Sequence, residues 1–201
     1  MTKIKICGIV SLEEALYCEQ AGADALGFVF APSPRRVEPA LVRQITGLLP
    51  PFIQRVGVFV NAERRFVEQI AACAGLTALQ FHGQEGADYC SNFSLPVIKT
   101  VAVKSAADLT GLDDFPAAAI LLDTYDPLLP GGTGRPFDWA LAECRPKKPM
   151  VLAGGLNPGN VQSAIKQLKP YAVDVSSGVE TNGKKDKKKI ESFIAAVRRC
   201  E

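Results

Sequence analysis

The chain of 201 residues lacks any apolar run that approaches the ~18 residues needed to cross a bilayer. Its first residues, Met1–Cys7, lead directly into a strand-like pattern, so no signal peptide is evident. We therefore expect no membrane contact and a cytoplasmic location. With 47% hydrophobic and 22% charged residues, the composition is typical of a globular protein large enough for one well-buried domain.

Histidine is nearly absent, since His82 is the only one in the sequence. The cysteines form no C-x-x-C pair and show no metal-ligand spacing with His82, which argues against a zinc site. We expect reduced thiols that mostly serve as packing residues, and neither a metal nor a cofactor. The six cysteines are Cys7, Cys18, Cys73, Cys90, Cys144 and Cys200.

An excess of charge of one sign is also missing, because the net charge is only +2. The segment Lys184–Lys189 holds five lysines and one aspartate, so the rest of the chain is slightly acidic. This composition is not typical of nucleic-acid binding, although a non-catalytic module that binds RNA or acidic partners through the segment remains an alternative. Three of the lysines precede a predicted helix. They form either a solvated patch or a device that attracts anions.

Eight short apolar segments alternate with helix-like segments along the chain, which predicts parallel strands. Eight such units favour a closed barrel over an open sheet. The first βα turn lacks the G-x-G-x-x-G of dinucleotide-binding folds. The predicted fold class is α/β, an eight-stranded parallel (β/α)8 TIM barrel in one domain, residues 1–201. The strands are predicted at residues 3–8, 25–30, 55–60, 77–81, 96–103, 118–124, 149–153 and 172–176.

Local signals place the helices between these strands. Ser11-Leu-Glu-Glu14 reads as a capping box, and Asn157-Pro158 predicts another helix start. We expect a weak helical turn at 105–112 and a helix at 137–144. The glycine-rich loop at 125–136 is expected to move over the site.

Two turns near the end of the chain favour phosphate binding. Gly154 and Gly155 follow one predicted strand, and the next predicted strand leads into Ser176, Ser177 and Gly178. Glycines let backbone N–H groups approach an anion, and serines add hydroxyl donors. A pair of such turns late in a βα chain predicts the phosphate site of a barrel, whereas a single Gly-Gly would indicate an ordinary turn.

Polar residues stand at several predicted strand ends, where barrels place their chemistry. Because alternate strand residues share a face and the outer face packs on helices, we expect them to point into the barrel. A solvated loop position is the alternative, and it suits His82 best. The residues are Cys7, Gln80, His82, Asp123 and Asp174.

Cys7 and Asp123 suggest an acid–base pair. A buried cysteine usually only packs, but a thiolate acts as a base or nucleophile if its pKa is lowered from ~8.5. Asp123 offers an acid if a partly desolvated site retains its proton. Such a pair suits proton-transfer isomerisation of a phosphorylated sugar. Arg35 and Arg36 lie on the same rim, where an arginine could bind a carboxylate or remain solvated.

The motifs together resemble the phosphoribosylanthranilate isomerase family of tryptophan biosynthesis, in order and over the whole chain. They are Lys3-Ile-Lys-Ile-Cys-Gly8, Ala23-Asp-Ala-Leu-Gly-Phe-Val-Phe30, Pro34-Arg-Arg36, Val56-Gly-Val-Phe-Val-Asn61, Leu79-Gln-Phe-His-Gly83, Leu121-Leu-Asp-Thr124, Gly131-Gly-Thr-Gly134, Phe137-Asp-Trp139, Ala153-Gly-Gly-Leu-Asn157 and Asp174-Val-Ser-Ser-Gly-Val-Glu180.

The resemblance implies an Amadori rearrangement of N-(5-phosphoribosyl)anthranilate, a small-molecule substrate, by a monomer or homodimer. It implies Asp123 as the general acid, Cys7 as the general base and Arg36 as the contact to the anthranilate carboxylate. It also implies a sugar-hydroxyl contact for Asp174 and structural support from Gln80 and His82. The implied phosphate-binding residues are Gly154, Gly155, Ser176, Ser177 and Gly178.

Two alternatives accompany this assignment. Asp126 is also acidic and close to Asp123, but it lies past the predicted strand end and outside the motif. A related phosphosugar isomerase of histidine biosynthesis would use two aspartates, and Cys7 at the end of the first strand argues against that function.

Overall fold

The computed structural model describes residues 1–124 and 146–200. Eight parallel strands form a closed barrel in chain order, with β8 pairing back to β1, which confirms the predicted fold. The strands are β1 (Lys3–Cys7), β2 (Ala25–Val29), β3 (Gln54–Phe59), β4 (Ala78–Phe81), β5 (Val97–Val103), β6 (Ala119–Thr124), β7 (Met150–Leu152) and β8 (Ala172–Val175).

Helices surround the barrel, and the predicted turn at 105–112 contains a 3₁₀ helix, Ala106–Leu109. The predicted capping serine is confirmed, because Ser11 Oγ accepts a hydrogen bond from the Glu14 N–H at 3.1 Å. The predicted 137–144 helix and 125–136 loop lie outside the described residues. The described α-helices are α1 (Leu12–Gln20), α2 (Pro39–Thr46), α3 (Arg64–Ala74), α4 (Ala87–Cys90), α5 (Val161–Leu168) and α6 (Lys187–Arg198).

The predicted helix start at Asn157-Pro158 is wrong, because α5 begins at Val161. Asn157 forms a turn instead. Its N–H donates to Asn160 Oδ1 at 2.8 Å, and its own Oδ1 accepts from the Gly159 N–H at 2.8 Å. Asparagine side chains stabilise such turns through the same local bonds that make them good helix caps, so the motif fits both structures.

The structure contains a short antiparallel hairpin after β8 that the sequence did not lead us to predict. Its strands are β9 (Glu180–Thr181) and β10 (Lys184–Lys185), joined by Asn182 and Gly183 with φ of 53° and 75°. Asn-Gly is a strong hairpin signal, because both turn positions need positive φ. The predicted lysines before the last helix in fact lie within it, and Asp186 caps it by accepting from the Lys189 N–H.

The alternation along each strand separates two apolar layers. Residues such as Ile4, Ile6 and Phe28 face the helices and are fully buried. A smaller apolar cluster of Leu121, Val151 and neighbouring alanines lies on the opposite face of β6, β7 and β8, inside the barrel. The polar residues between these apolar positions therefore face the barrel interior, as predicted.

The ends of the described chain meet at the N-terminal end of the barrel. Arg198 donates to the Thr2 carbonyl at 3.0 Å and to Asp24 Oδ2 at 3.0 Å. A largely apolar cavity opens at the same end, beside the exposed Phe52, and none of the predicted site residues lines it. Among the helices that the structure describes, none combines the length and apolar character that a bilayer crossing requires.

Candidate active site

Cys7 ends β1 and retains partial exposure to solvent. It lies against Gly27 of β2, where an added Cβ would come within 2.7 Å of Cys7 Sγ and 3.0 Å of Lys5 Nζ. Burial raises the pKa of the Cys7 thiol, and the Lys5 ammonium opposes that rise. The lowered pKa that a thiolate base needs is therefore not met in the ligand-free chain, where the thiol predominates at neutral pH.

Lys5 and Asp174 form an ion pair inside the barrel that the sequence analysis missed. Lys5 Nζ lies 2.9 Å from Asp174 Oδ2, and both side chains are less than 10% exposed. The register of β1 and β8 sets Lys5 directly beside Asp174. The second oxygen, Asp174 Oδ1, is buried and has no hydrogen-bond partner among the described residues, which leaves an acceptor for a ligand.

Asp123 near the end of β6 is buried and carries two contacts. Its Oδ1 accepts from the Thr124 N–H at 2.7 Å, and its Oδ2 lies 3.2 Å from His82 Nε2. Gln80 Nε2 lies 3.2 Å from His82 Nδ1. With Gln80 donating to Nδ1, the neutral ring carries its proton on Nε2 and donates to Asp123. His82 is thus a partner of the candidate acid and not a free loop residue.

The two predicted phosphate turns lie against each other. Gly154 and Gly155 have φ of 79° and 66°, a conformation that glycine adopts without strain. A Cβ on Gly178 would collide with the carbonyl group of Leu156, so the turn after β8 packs directly on the turn after β7. Ser177 begins a 3₁₀ helix, Ser177–Val179, after β8.

Ser176 links the second turn to the candidate base. Its hydroxyl donates to the Cys7 carbonyl at 3.0 Å. Lys185 Nζ donates in turn to the Ser176 carbonyl at 3.2 Å. The backbone at Cys7 and the phosphate turn therefore hold each other in place.

The two neighbouring arginines have different surroundings. Arg35 donates two hydrogen bonds to Glu180, at 2.8 and 2.7 Å, and so holds the β9–β10 hairpin. Arg36 is exposed, and the nearest carboxylate oxygen among the described residues, Glu38 Oε1, is 3.7 Å away. Of the pair, Arg36 retains the guanidinium that a ligand carboxylate could reach.

Glu180 is the centre of a buried charge cluster. Besides Arg35, it accepts from Lys185 Nζ at 2.6 Å. Burial acts to raise the pKa of Glu180, but the hydrogen bonds from Arg35 and Lys185 outweigh it and lower the pKa to about 2. Lys185 is therefore structural, and neither a solvated patch nor an anion attractor describes it.

Two other lysines of Lys184–Lys189 also make contacts. Lys187 Nζ lies 3.2 Å from Glu13 Oε1, and Lys189 Nζ donates to the Glu180 carbonyl at 2.6 Å. In residues 1–124 and 146–200, His, Cys, Asp and Glu side chains form no group of three suited to a metal ion. Asp126, the acidic alternative to Asp123, lies outside the described residues.

Comparisons with known proteins agree with this geometry. Residues 4–196 match the family model described as N-(5′phosphoribosyl)anthranilate (PRA) isomerase. The protein of that name from Desulforudis audaxviator is 53% identical over 201 residues, which cover 98% of each chain. The Thermus thermophilus phosphoribosyl anthranilate isomerase structure superimposes with a TM-score of 0.91 at 37% identity, covering 100% of each chain.

A third similar structure is a phosphoribosyl anthranilate isomerase in complex with reduced 1-(o-carboxyphenylamino)-1-deoxyribulose 5-phosphate. It has a TM-score of 0.87 and 42% identity, and the match covers 99% of this chain and 100% of that one. The family model spans residues 4–196, and these relatives match almost the whole chain. This chain belongs to the N-(5′-phosphoribosyl)anthranilate isomerase family.

Proposed function

We propose that this chain converts N-(5′-phosphoribosyl)anthranilate to 1-(2-carboxyphenylamino)-1-deoxyribulose 5-phosphate, a step of L-tryptophan biosynthesis, with Asp123 as general acid and Cys7 as general base. One observation carries the assignment. A thiol at the end of β1 and a buried carboxyl near the end of β6 face the interior of one barrel, at its C-terminal rim. Ring opening needs an acid at the ring oxygen and the later step needs a base at C2, so the two groups must be held at separate points.

The first step opens the sugar ring. Asp123 donates its proton to the furanose ring oxygen as the bond from C1 to that oxygen breaks, and the anthranilate nitrogen forms a C=N double bond to C1. The substrate becomes a protonated Schiff base and Asp123 becomes a carboxylate. The Thr124 N–H and His82 Nε2 contact its two oxygens and stabilise that charge.

The second step moves the C2 proton. Cys7 Sγ accepts it, the C–H electron pair forms a C1=C2 double bond, and the C=N electrons return to nitrogen. The resulting enolamine tautomerises to the ketone. The Schiff base is cationic and lies beside C2, so its formation favours the thiolate that the ligand-free chain disfavours.

Binding follows from the remaining site residues. The turns that contain Gly154, Gly155, Ser176, Ser177 and Gly178 would bind the phosphate through backbone N–H groups and hydroxyls. Arg36 would bind the anthranilate carboxylate, and Asp174 Oδ1 would accept a hydrogen bond from a sugar hydroxyl. Each group acts directly on the substrate, so the proposal includes no metal or cofactor. A cytoplasmic location and a monomer or homodimer stay predictions.

The test follows the loss of phosphoribosylanthranilate fluorescence in buffer with a chelator. Wild-type protein should turn over, and Cys7→Ala and Asp123→Asn should each lose activity by about 10²- to 10⁴-fold, the usual contribution of a general acid or base. Cys73→Ala and Asp88→Asn are matched controls. Both change exposed residues outside the predicted site and should retain full activity.

Three outcomes would contradict the proposal. Folded wild-type protein without turnover would contradict the reaction itself. Turnover that persists in either Cys7→Ala or Asp123→Asn would contradict the acid–base assignment, and loss of activity in Asp126→Asn alone would transfer the acid role to Asp126.

A further inference from the structure

Lys5 lies two residues before Cys7, on the same face of β1. It is 4% exposed, which is unusual for a lysine. Asp174 holds its ammonium at 2.9 Å from the neighbouring strand. Such a buried pair is weak evidence for a stabilising role, since two apolar residues of similar size often stabilise a protein equally well.

The packing of β2 brings the Lys5 ammonium and the Cys7 sulfur together. Gly27 is opposite Cys7 in the register of β1 and β2. Its missing side chain leaves a gap that both Cys7 Sγ and Lys5 Nζ border, so the ammonium lies beside the thiol. Any larger residue at position 27 would push one of these groups away.

The ammonium keeps its charge in this position. Burial acts to lower the pKa of Lys5, but the charges of Asp174 and Cys7 outweigh it and raise the pKa overall. Lys5 is therefore a protonated ammonium beside the thiol near neutral pH.

We infer that Lys5, oriented by Asp174, stabilises the thiolate of Cys7 through the charge of its ammonium beside Sγ, and is thus a positioning residue for the base. The catalytic consequence rests on the proposed function of Cys7, whereas the effect on the thiol does not. Lys5 acts on the substrate only through Cys7.

Four charged groups face Cys7 from the elements packed around it. Lys5 lies on its own strand, Asp174 on β8, Lys185 on β10 and Arg35 on the loop after β2. Lys5 has the largest influence of the four that favours the thiolate, and the carboxylate of Asp174 works against it. Removing Lys5 therefore leaves an environment that disfavours thiolate formation.

The experiment measures the rate of Cys7 alkylation by iodoacetamide against pH in the ligand-free full chain, with peptide mass mapping to separate Cys7 from the other cysteines. Lys5→Met should move the midpoint of the Cys7 profile upward by about 1–3 pH units, the usual effect of losing a nearby opposite charge. Lys99→Met is the matched control, because Lys99 is equally buried and paired with Glu85 at 2.7 Å. Its Cys7 profile should match wild type.

A second variant tests the inference if Lys5→Met fails to fold because Asp174 has lost its partner. Lys5→Met/Asp174→Asn removes both charges, and the midpoint should still rise, by less than in the single variant, since Lys5 influences the thiol more strongly than Asp174 does. Superimposable profiles for wild type and either Lys5 variant would overturn the inference. So would an equal shift in Lys99→Met.

Kinetics separate this inference from the proposed function. If both hold, Lys5→Met should lower kcat far more than it changes KM and should move the alkaline rise of kcat upward by the same interval as the alkylation midpoint. A shifted midpoint in a wild-type chain without isomerase activity would refute the proposed function and leave the Lys5–Cys7 contact supported.

Discussion

Gly154 brings the first phosphate turn close to the candidate acid. Its φ is +79°, and a Cβ there would meet Thr124 and would lie 2.8 Å from Asp123 Oδ1. A side chain at this position is therefore unfavourable for two reasons: the backbone is left-handed, and the side chain would collide with β6. The absent side chain at Gly154 thus determines where the acid can lie relative to the phosphate turn.

Gly154→Ala should lower the free energy of unfolding by about 1–3 kcal/mol, the usual range for a strained backbone position. It should also lower kcat, because the added methyl group displaces Asp123 or the turn. Urea unfolding and steady-state kinetics measure the two effects.

Gly111→Ala is the matched control. Gly111 has a similar φ of +75°, but a Cβ there meets nothing within 4 Å. This variant should lose stability through backbone strain alone and keep its kcat. An equal fall of kcat in both variants would show that contact with Asp123 is not the cause.

Alternation along the strands predicted that Cys7, Asp123 and Asp174 face the barrel interior, but it could not predict their partners. Lys5 and Asp174 are 169 residues apart, so their contact depends on the register of the first and last strands. The His82–Asp123 contact also joins two separate strands. A single sequence shows which face of a strand a residue occupies. Contacts between strands that are distant in sequence depend on how the strands pair when the barrel closes.

At the scale of elements, the β9–β10 hairpin is hydrogen-bonded to the loop after β2 and to α6. Glu180 accepts from Arg35 of the loop after β2, from Lys185 of β10, and through its carbonyl from Lys189 of α6. The Glu180 carboxylate therefore joins the loop after β2 to β10, and the Glu180 carbonyl joins α6 to the same cluster.

Glu180→Gln should destabilise the protein near neutral pH and flatten its acid transition. The folded pKa of about 2 is below the usual glutamate pKa of about 4.5, so the stabilisation is complete above about 4.5 and is lost as pH falls towards 2. Urea unfolding at a series of pH values should show a steeper loss for wild type than for the variant over this interval.

Glu68→Gln serves as the comparison at neutral pH. Glu68 makes a surface pair with Arg64, at 3.6 Å, and its loss should change stability by no more than about 1 kcal/mol. If Glu180→Gln costs no more than this control, the cluster does not fasten the hairpin.

The elements differ in how far the sequence predicts them. The eight barrel strands are apolar runs with turn residues between them, and all eight were predicted within about two residues. The hairpin strands have two residues each, too few to show alternation, although Asn182-Gly183 carried the turn signal. The start of α5 was misplaced because Asn157 can cap either a turn or a helix.

At the scale of the whole molecule, charge distribution influences how fast an anion reaches the rim. Lys187 and Lys189 make local contacts, so Lys188, which is exposed, tests this influence with the least structural change. At low ionic strength, where substrate capture limits the rate, Lys188→Gln should lower kcat/KM by about twofold. At high ionic strength the variant should have the same kcat/KM as wild type.

Lys166→Gln removes the same charge from the opposite end of the barrel, where Lys166 is exposed beside Met1 and Thr2. It should leave kcat/KM unchanged at every ionic strength. A salt-independent loss in Lys188→Gln, or an equal loss in both variants, would argue against anion attraction by the basic segment.

The hydrogen bond from Arg198 to the Thr2 carbonyl has a practical consequence for rearranging the chain. It sets the two described ends side by side at the end of the barrel away from Cys7 and Asp123. A few glycines could therefore join them in a circular permutant. New termini opened beside the exposed Phe52, between α2 and β3, would then leave every strand of the barrel uncut and the order of pairing around it unchanged.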